Sequence, residues 1–203
     1  MKIVEQARAP NPRRVRIFLA EKGITVPFEQ IDMMKLEHRT EAFTRINPVQ
    51  QVPVLVLDDG TTISESIAIC RYFEDIQPEP ALFGRTAKER ALVEMWNRRI
   101  EHGLHFRITQ VFRHTHPAMA PLERPQVTVW GEANREKVIE QLQFLDAELA
   151  NRPFVAGDAF SVADITALVA IDFMKPAKLE RPASLTNVAR WHADVSARPS
   201  AKA

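Results

Sequence analysis

The stretch NPVQQVPVLVLDDGTTISES, residues 47–66, sets a proline at the threshold of an apolar run. Val52 precedes Pro53, and Val54, Leu55, Val56 and Leu57 follow it. Proline has no N–H to give to a sheet ladder, so such a run normally excludes it. A cis Val52–Pro53 bond resolves the conflict, because it turns the chain just ahead of the strand. The main-chain N–H and C=O of Val52 then face outward at the sheet edge, where an extended peptide can pair with them. Asp59-Gly60 follows as a hairpin signal, with residues 61–63 as the returning strand. Glu65-Ser66 opens a helix over 66–75, with Ile67, Ile69, Cys70 and Phe73 available for burial. The free N–H groups of that helix start, the Ser66 hydroxyl and the helix dipole favour a carboxylate, while Glu65 suits an ammonium. A carboxylate and an ammonium beside an extended-peptide clamp describe the amino-acid end of a small peptide. Taken singly, Pro53 also fits a plain strand-start proline and Glu65-Ser66 a plain helix N-terminus. Joined by a DG turn, they are far more specific.

Upstream, residues 2–6 read as a short strand, and Pro10-Asn11-Pro12 breaks the chain after it. Val15, Phe18, Leu19 and Lys22 then share a helix face that Gly23 stops. Residues 26–31 predict a second strand, bent near Pro27, and residues 41–46 a short helix. The order β-α-β-α-β-β-α argues for parallel pairing at the start and an antiparallel hairpin at the end. Gln77-Pro78-Glu79-Pro80 is stiff and polar and marks the domain boundary.

Beyond that boundary the pattern is helical. Residues 86–113 contain one glycine and no proline, and a proline-rich connection follows at Pro117, Pro121 and Pro125. Residues 130–149 carry Val138, Leu142, Leu145 and Leu149 at helical spacing, and further helices begin near Ser161 and Ser184. Ser161 and Asp164 stand at capping-box spacing, a structural motif with no catalytic role. The expected division is residues 1–77, a linker over 78–85 and a helical domain over 86–203.

The bulk numbers exclude several function classes. Of 203 residues, 45% are hydrophobic and 26% charged, ordinary for a globular protein. No apolar run approaches the roughly 20 residues needed to span a bilayer, so no membrane partner is expected. No basic stretch followed by an apolar segment opens the chain, so no secretory signal is expected. Cys70 is the one cysteine, which rules out an internal disulfide and fits a reducing cytoplasm. With 27 basic and 26 acidic residues the net charge is +1, so no nucleic-acid partner is expected. His102, His105, His114 and His116 are scattered over a helix and its proline-rich exit, so no metal is expected.

EAFTRINPVQQVPVLVLDDGTTISESIAICRYF resembles the N-terminal domain of cytosolic glutathione S-transferases, in particular bacterial ones. APNPRRVRIFLAEKGI resembles their first helix, RPFVAGDAFSVADITAL their buried C-terminal helix, and NVARWHADVSARPS their closing helix. The resemblance covers essentially the whole chain, with four motifs in the right order. It implies an α/β thioredoxin-like N-terminal domain followed by an all-α C-terminal domain, a homodimer, and glutathione as cofactor. It further implies that Val52, ahead of Pro53, pairs its backbone with the cysteinyl unit, and that Glu65 and Ser66 hold the γ-glutamyl end with Gln51 beside them. His38, and Gln50 where some classes carry histidine, match positions that contact the glycine carboxylate. His38 alone also reads as a surface histidine. The second substrate, an electrophile, disulfide or peroxide, is expected near Trp96, Arg99, His102, Phe106 and Arg107.

The catalytic position departs from the family pattern. Many members place Ser, Tyr or Cys near the first helix, but the usual serine is Ala9 here, and no Ser, Thr, Tyr or Cys stands between residues 1 and 24. Lowering a thiol pKa by two units from about 8.5 needs about 2.7 kcal/mol of preference for the anion. Asn11 is the best remaining donor, and it also fits a helix N-cap. Some bacterial glutathione transferases with disulfide-bond reductase activity carry Asn there, usually with Thr where Ala9 stands. The reading is therefore an enzyme that activates glutathione for conjugation or for peroxide or disulfide reduction. Its alternative is a non-catalytic relative kept as a binding or regulatory protein. Tyr72 and Cys70, both on the third helix, are expected to be packing residues.

Overall fold

The computed structural model describes all of residues 1–203. Two compact units divide it, Met1–Ala81 with Lys202–Ala203, and Leu82–Ala201.

The first unit is built on four short strands, β1 (Lys2–Glu5), β2 (Phe28–Gln30), β3 (Val54–Val56) and β4 (Thr62–Ser64), in the order β2-β1-β3-β4. β1 and β2 are parallel, with Ile3 opposite Phe28; β3 runs antiparallel to both β1 and β4. Three helices accompany the sheet: α1 (Pro10–Lys22), α2 (Glu41–Ile46) and α3 (Ser66–Ile76). Side chains alternate across the pleat. Val4 and Val54 therefore share a cluster with Phe43 of α2 and with Val52, while Ile3 and Leu55 are buried on the opposite face. α1 and α3 pack together.

The termini follow local chemistry. Pro10 opens α1, where a missing N–H is no loss. Gly23 closes it at φ 65°, a left-handed conformation that glycine adopts without a Cβ penalty. Lys22 in its last turn is buried. Its Nζ donates to the carbonyls of Gln77, Pro78 and Pro80 and lies 2.5 Å from Glu74 Oε2, tying α1 to the segment after α3. β2 is shorter than the expected 26–31 because Pro27 lends the ladder only its carbonyl, which accepts from Ile3 N–H at 2.9 Å.

The second unit is helical: α4 (Ala87–Arg98), α5 (Phe106–Thr115), α6 (Thr128–Leu149), α7 (Val162–Asp172) and α8 (Thr186–Ser196). The single helix expected over residues 86–113 is instead interrupted by a π-helical turn, Arg99–His105. Gly103 lies inside it, and a Cβ there would come within 2.5 Å of Gln141 Oε1 on α6. Val138, Leu142, Leu145 and Leu149 line the buried side of α6. α7 is buried on every side, which is why its sequence shows no polar face.

Asp164 anchors this core. Its carboxylate accepts from the N–H of Val155 and of Ser161, from Ser161 Oγ and from Trp191 Nε1, all within 3.2 Å. Burial pushes its carboxyl up to about 6, and those donors pull against that shift. Mechanically, it joins the start of α7 to α8.

Candidate active site

The Val52–Pro53 bond is cis, as the stretch at residues 47–66 predicts. Asn47 ends α2, and its side-chain Nδ2 donates to Gln51 C=O at 2.7 Å, which holds the turn into β3. The β3 ladder begins at Val54, so the N–H and C=O of Val52 lie outside it, while the Val52 side chain is buried with Phe43. This arrangement presents main chain and hides side chain, as a peptide-pairing segment requires.

Immediately after β4, Glu65 stands at the N-cap of α3 with φ 70°, a left-handed backbone for a residue that has a Cβ. Such outliers persist where the surroundings hold them, and they concentrate at ligand sites. Its carboxylate is exposed and makes no capping bond to the helix. Ser66 is buried at the first position of α3, and Arg14 Nη1 lies 3.4 Å from its hydroxyl oxygen. Arg14 is itself 1% exposed. A guanidinium therefore stands directly behind the helix start, adding positive potential where the α3 dipole already favours an anion.

His38 sits in a one-turn 3-10 helix, Glu37–Arg39. It is buried, contrary to the surface alternative, and its Nδ1 has no hydrogen-bond partner. Burial, and secondarily the charge of Arg39, hold its pKa below the usual histidine value. Gln50 has φ 54° and donates from Nε2 to Thr44 Oγ1 at 2.9 Å, so its amide is engaged within the α2–β3 connection. Gln51 is exposed beside Val52.

At the start of α1 the N-cap is Ala9, in extended conformation and with no side chain to cap the helix. Asn11 is two residues past the cap and lies within the first turn. Its Oδ1 is buried without a hydrogen-bond partner. An unmatched acceptor in the first turn of a helix is costly unless something donates to it.

Other expectations fall out differently. Trp96 is only 3% exposed, stacked on Phe144 and covered by the guanidinium groups of Arg99 and Arg152, so it lines no open surface. His105 is buried while His102 is exposed. Phe106 is exposed, and Arg107 donates to Asn134 Oδ1 at 3.2 Å. Cys70 is fully buried, and desolvation pushes its thiol far above the usual range. Tyr72 packs edge-on against Phe73. No helix is long and apolar enough to cross a membrane.

A family model described as "Glutathione S-transferase, N-terminal domain" matches residues 9–76, and one described as "Glutathione S-transferase, C-terminal domain" matches residues 114–199. Glutathione S-transferase 2 of Saccharomyces cerevisiae is 38% identical over 205 aligned residues, spanning 100% of this chain and 88% of that protein. The chain belongs to the glutathione S-transferase family. The crystal structure of Gtt2 from Saccharomyces cerevisiae superposes with a TM-score of 0.95 over 100% of this chain and 99% of that one. A glutathione S-transferase domain-containing protein from Marinobacter aquaeolei gives a TM-score of 0.95 at 43% identity, over 98% of this chain and 99% of that one. The thioredoxin-like plus helical transferase fold read from the four motifs is therefore the fold of this chain, and glutathione is the co-substrate of its family. Among the site's groups, Arg14 belongs to the basic run Arg13-Arg14-Arg16, which the sequence leaves open between a solvated helix face and anion binding at a helix N-terminus; the fold buries it at Ser66. Its signal was its spacing, since Arg14 shares the buried face of α1 with Ile17 and Phe18. A lone arginine on an apolar helix face needs an anion or a dipole to face.

Proposed function

We propose that this protein is a glutathione transferase whose cradle is formed by Val52, Glu65 and Ser66, and whose thiol-facing group is Asn11. In this reading the tripeptide lies extended along residues 51–53, exchanging main-chain hydrogen bonds with Val52. Its γ-glutamyl carboxylate takes the N–H groups and hydroxyl at Ser66, and its ammonium meets Glu65. The glycine carboxylate lies toward His38, whose neutral ring offers one N–H donor, and toward Gln50, while Gln51 lies beside the γ-glutamyl end. Glutathione loses its thiol proton to solvent, and the sulfur electron pair then forms the bond to an electrophile as the leaving group departs. Asn11 favours the thiolate by turning its Nδ2 toward sulfur, which also brings its unmatched Oδ1 out of a site with no donor. The observation that carries this reading is the start of α3. A positive-φ glutamate, a buried serine and a buried arginine converge there, an arrangement that no packing requirement explains. A homodimer in the cytoplasm, taking an electrophile as second substrate, completes the reading.

One observation favours the binding-module alternative. The thiol-facing stretch has no hydroxyl or thiol of its own. Calorimetric titration with glutathione and with glutathione disulfide, followed by turnover of an electrophile panel, separates the two. Binding with turnover is the expected result. Binding without turnover makes the protein a glutathione-holding module, and no binding to either ligand removes the proposal.

A further inference from the structure

We infer that Arg16, braced by Glu5 and Gln30, is a positioning residue for the glutathione thiol, because it fixes the loop that delivers Asn11. The inference rests on the reading of residues 9–11 as the thiol-facing stretch. β1 ends at Glu5 and α1 begins at Pro10, leaving Gln6-Ala7-Arg8-Ala9 to place the helix start. Ala9 packs against the Val4, Phe43, Val52 and Val54 cluster and Gln6 Oε1 accepts from Met33 N–H at 3.3 Å, but Ala7 between them is exposed and has no side chain to anchor it.

The loop is gripped from outside. Ala7 N–H donates to Gln30 Oε1 at 2.9 Å, and Ala7 C=O accepts from Arg16 Nη2 at 2.5 Å. Both grips return to a single carboxylate oxygen. Glu5 Oε1 accepts from Arg16 Nη1 at 2.8 Å and from Gln30 Nε2 at 2.8 Å. One residue from each of β1, α1 and β2 thus closes a ring through Ala7. Ala9 N–H donates to Gln6 C=O at 2.9 Å and passes the placement on to the N-cap of α1.

This ring is poorly explained by stability. The Glu5 side chain is 2% exposed and that of Arg16 17%, and removing two charges from water costs more than their attraction reliably returns. Glu5 Oε2 and Arg16 Nε are buried with no hydrogen-bond partner at all. An apolar pair would fill the same space without those unmet groups. What it could not do is hold both main-chain groups of Ala7. The arginine fork is needed as well, since one nitrogen serves Glu5 while another serves Ala7, and an ammonium is a single point charge. Where the reacting atom is a thiolate stabilised by one amide and a helix start, displacement of that start by about 1 Å is enough to weaken both contacts and slow the reaction.

The test uses the full chain with Arg16→Lys, Gln30→Ala and Asn11→Ala. Three quantities are measured: glutathione Kd by calorimetry, the pKa of the bound thiol by ultraviolet thiolate absorbance, and kcat/KM against pH with a chlorodinitrobenzene. Arg16→Lys is expected to leave Kd within about twofold and to raise the bound thiol pKa by about one unit. It lowers kcat/KM at pH 7 about threefold, approaching tenfold below the wild-type thiol pKa, with recovery at higher pH. Gln30→Ala, which removes one grip and no charge, shifts the thiol pKa in the same direction and covers the case in which Arg16→Lys fails to fold. An unchanged pH profile in the folded variants, with activity falling only as the folded fraction falls, overturns the inference. So does a change confined to Kd. If Asn11→Ala also leaves the thiol pKa untouched, the thiol-facing assignment fails instead. An Asn11→Ala effect without an Arg16→Lys effect sinks the positioning role alone.

Discussion

Asp164 in the helical unit and Asn11 at the start of α1 are both polar groups in the first turn of a helix, and they are treated in opposite ways. Asp164 accepts four hydrogen bonds from three separate segments, while Asn11 Oδ1 is buried and accepts none. A buried polar group with every lone pair matched holds a fold together; one left unmatched is a cost that folding alone does not explain. The contrast sets a structural residue against the one proposed to face sulfur, and each has its own expected outcome.

Asp164→Ala should produce the largest effect. It strands four donors in a core with no water to take them, so the unfolding free energy should fall by about 3 kcal/mol or more. Urea denaturation gives the number, and turnover per folded molecule should stay near wild type. A loss below about 1 kcal/mol would place Asp164 among ordinary caps and weaken the contrast.

Glu65→Ala comes next and acts on binding alone. Loss of the only carboxylate at the α3 N-cap should weaken glutathione by about a hundredfold, or roughly 2.7 kcal/mol. The melting temperature should hold or rise, because Ala at φ 70° is no worse placed than Glu. Calorimetry showing wild-type affinity would remove Glu65 from the cradle.

Asn11→Ala sharpens the comparison most directly, because its two consequences have opposite signs. The expected kcat is about tenfold lower with Kd within about twofold, as for loss of one donor to a developing anion. Without ligand, deleting a buried unmatched acceptor should leave stability unchanged or raise it by up to about 1 kcal/mol. A variant both slower and less stable would show that Asn11 is structural after all.

The same contrast explains what the sequence made legible. Elements that depend on main chain were readable, because cis-proline, the DG hairpin and a serine opening a helix each force local geometry whatever surrounds them. The capping spacing of Ser161 and Asp164 was readable for that reason too. Elements that depend on assembly were not. Arg14 comes under Ser66 only when α1 packs on α3, and Glu5, Arg16 and Gln30 meet only once β1, α1 and β2 are in place. Burial of Trp96 likewise needs α6 to bring Phe144 across it. The π-helical turn at Arg99–His105 left no mark beyond Gly103, since residue propensities do not separate π from α turns.

His38 adds a pH term. Burial holds its folded-state pKa below the usual value near 6.5, so the unfolded chain takes up a proton more readily than the folded one. The stability this group contributes is therefore present above pH 6.5 and lost as pH falls through that value and through the lower folded pKa. The unfolding free energy of wild type minus that of His38→Gln should decline from pH 7.5 to pH 5.5. Over the same interval glutathione should favour the protonated ring, so its affinity should fall less steeply in wild type than in the variant. A stability difference independent of pH would mean that the ring is solvated, and the case for a neutral donor at the glycine end would go with it.

Cys70 is predicted to do nothing, and that tests where the chemistry resides. Its thiol is enclosed at the α1–α3 packing face, and burial, reinforced by Glu74 and only partly offset by Arg14, pushes its pKa far above the usual range. The thiolate is the reactive form of a cysteine, so at pH 8 the native protein should resist iodoacetamide and react only as it unfolds. Any sulfur chemistry must then come from glutathione itself, since residues 1–24 offer no hydroxyl or thiol near the start of α1. Alkylation of folded protein with parallel loss of turnover would reverse that conclusion and return the nucleophile to the protein. Alkylation that leaves turnover intact would show only that α1 and α3 part more readily than their packing suggests, and would leave the proposed role of Asn11 to its own variant.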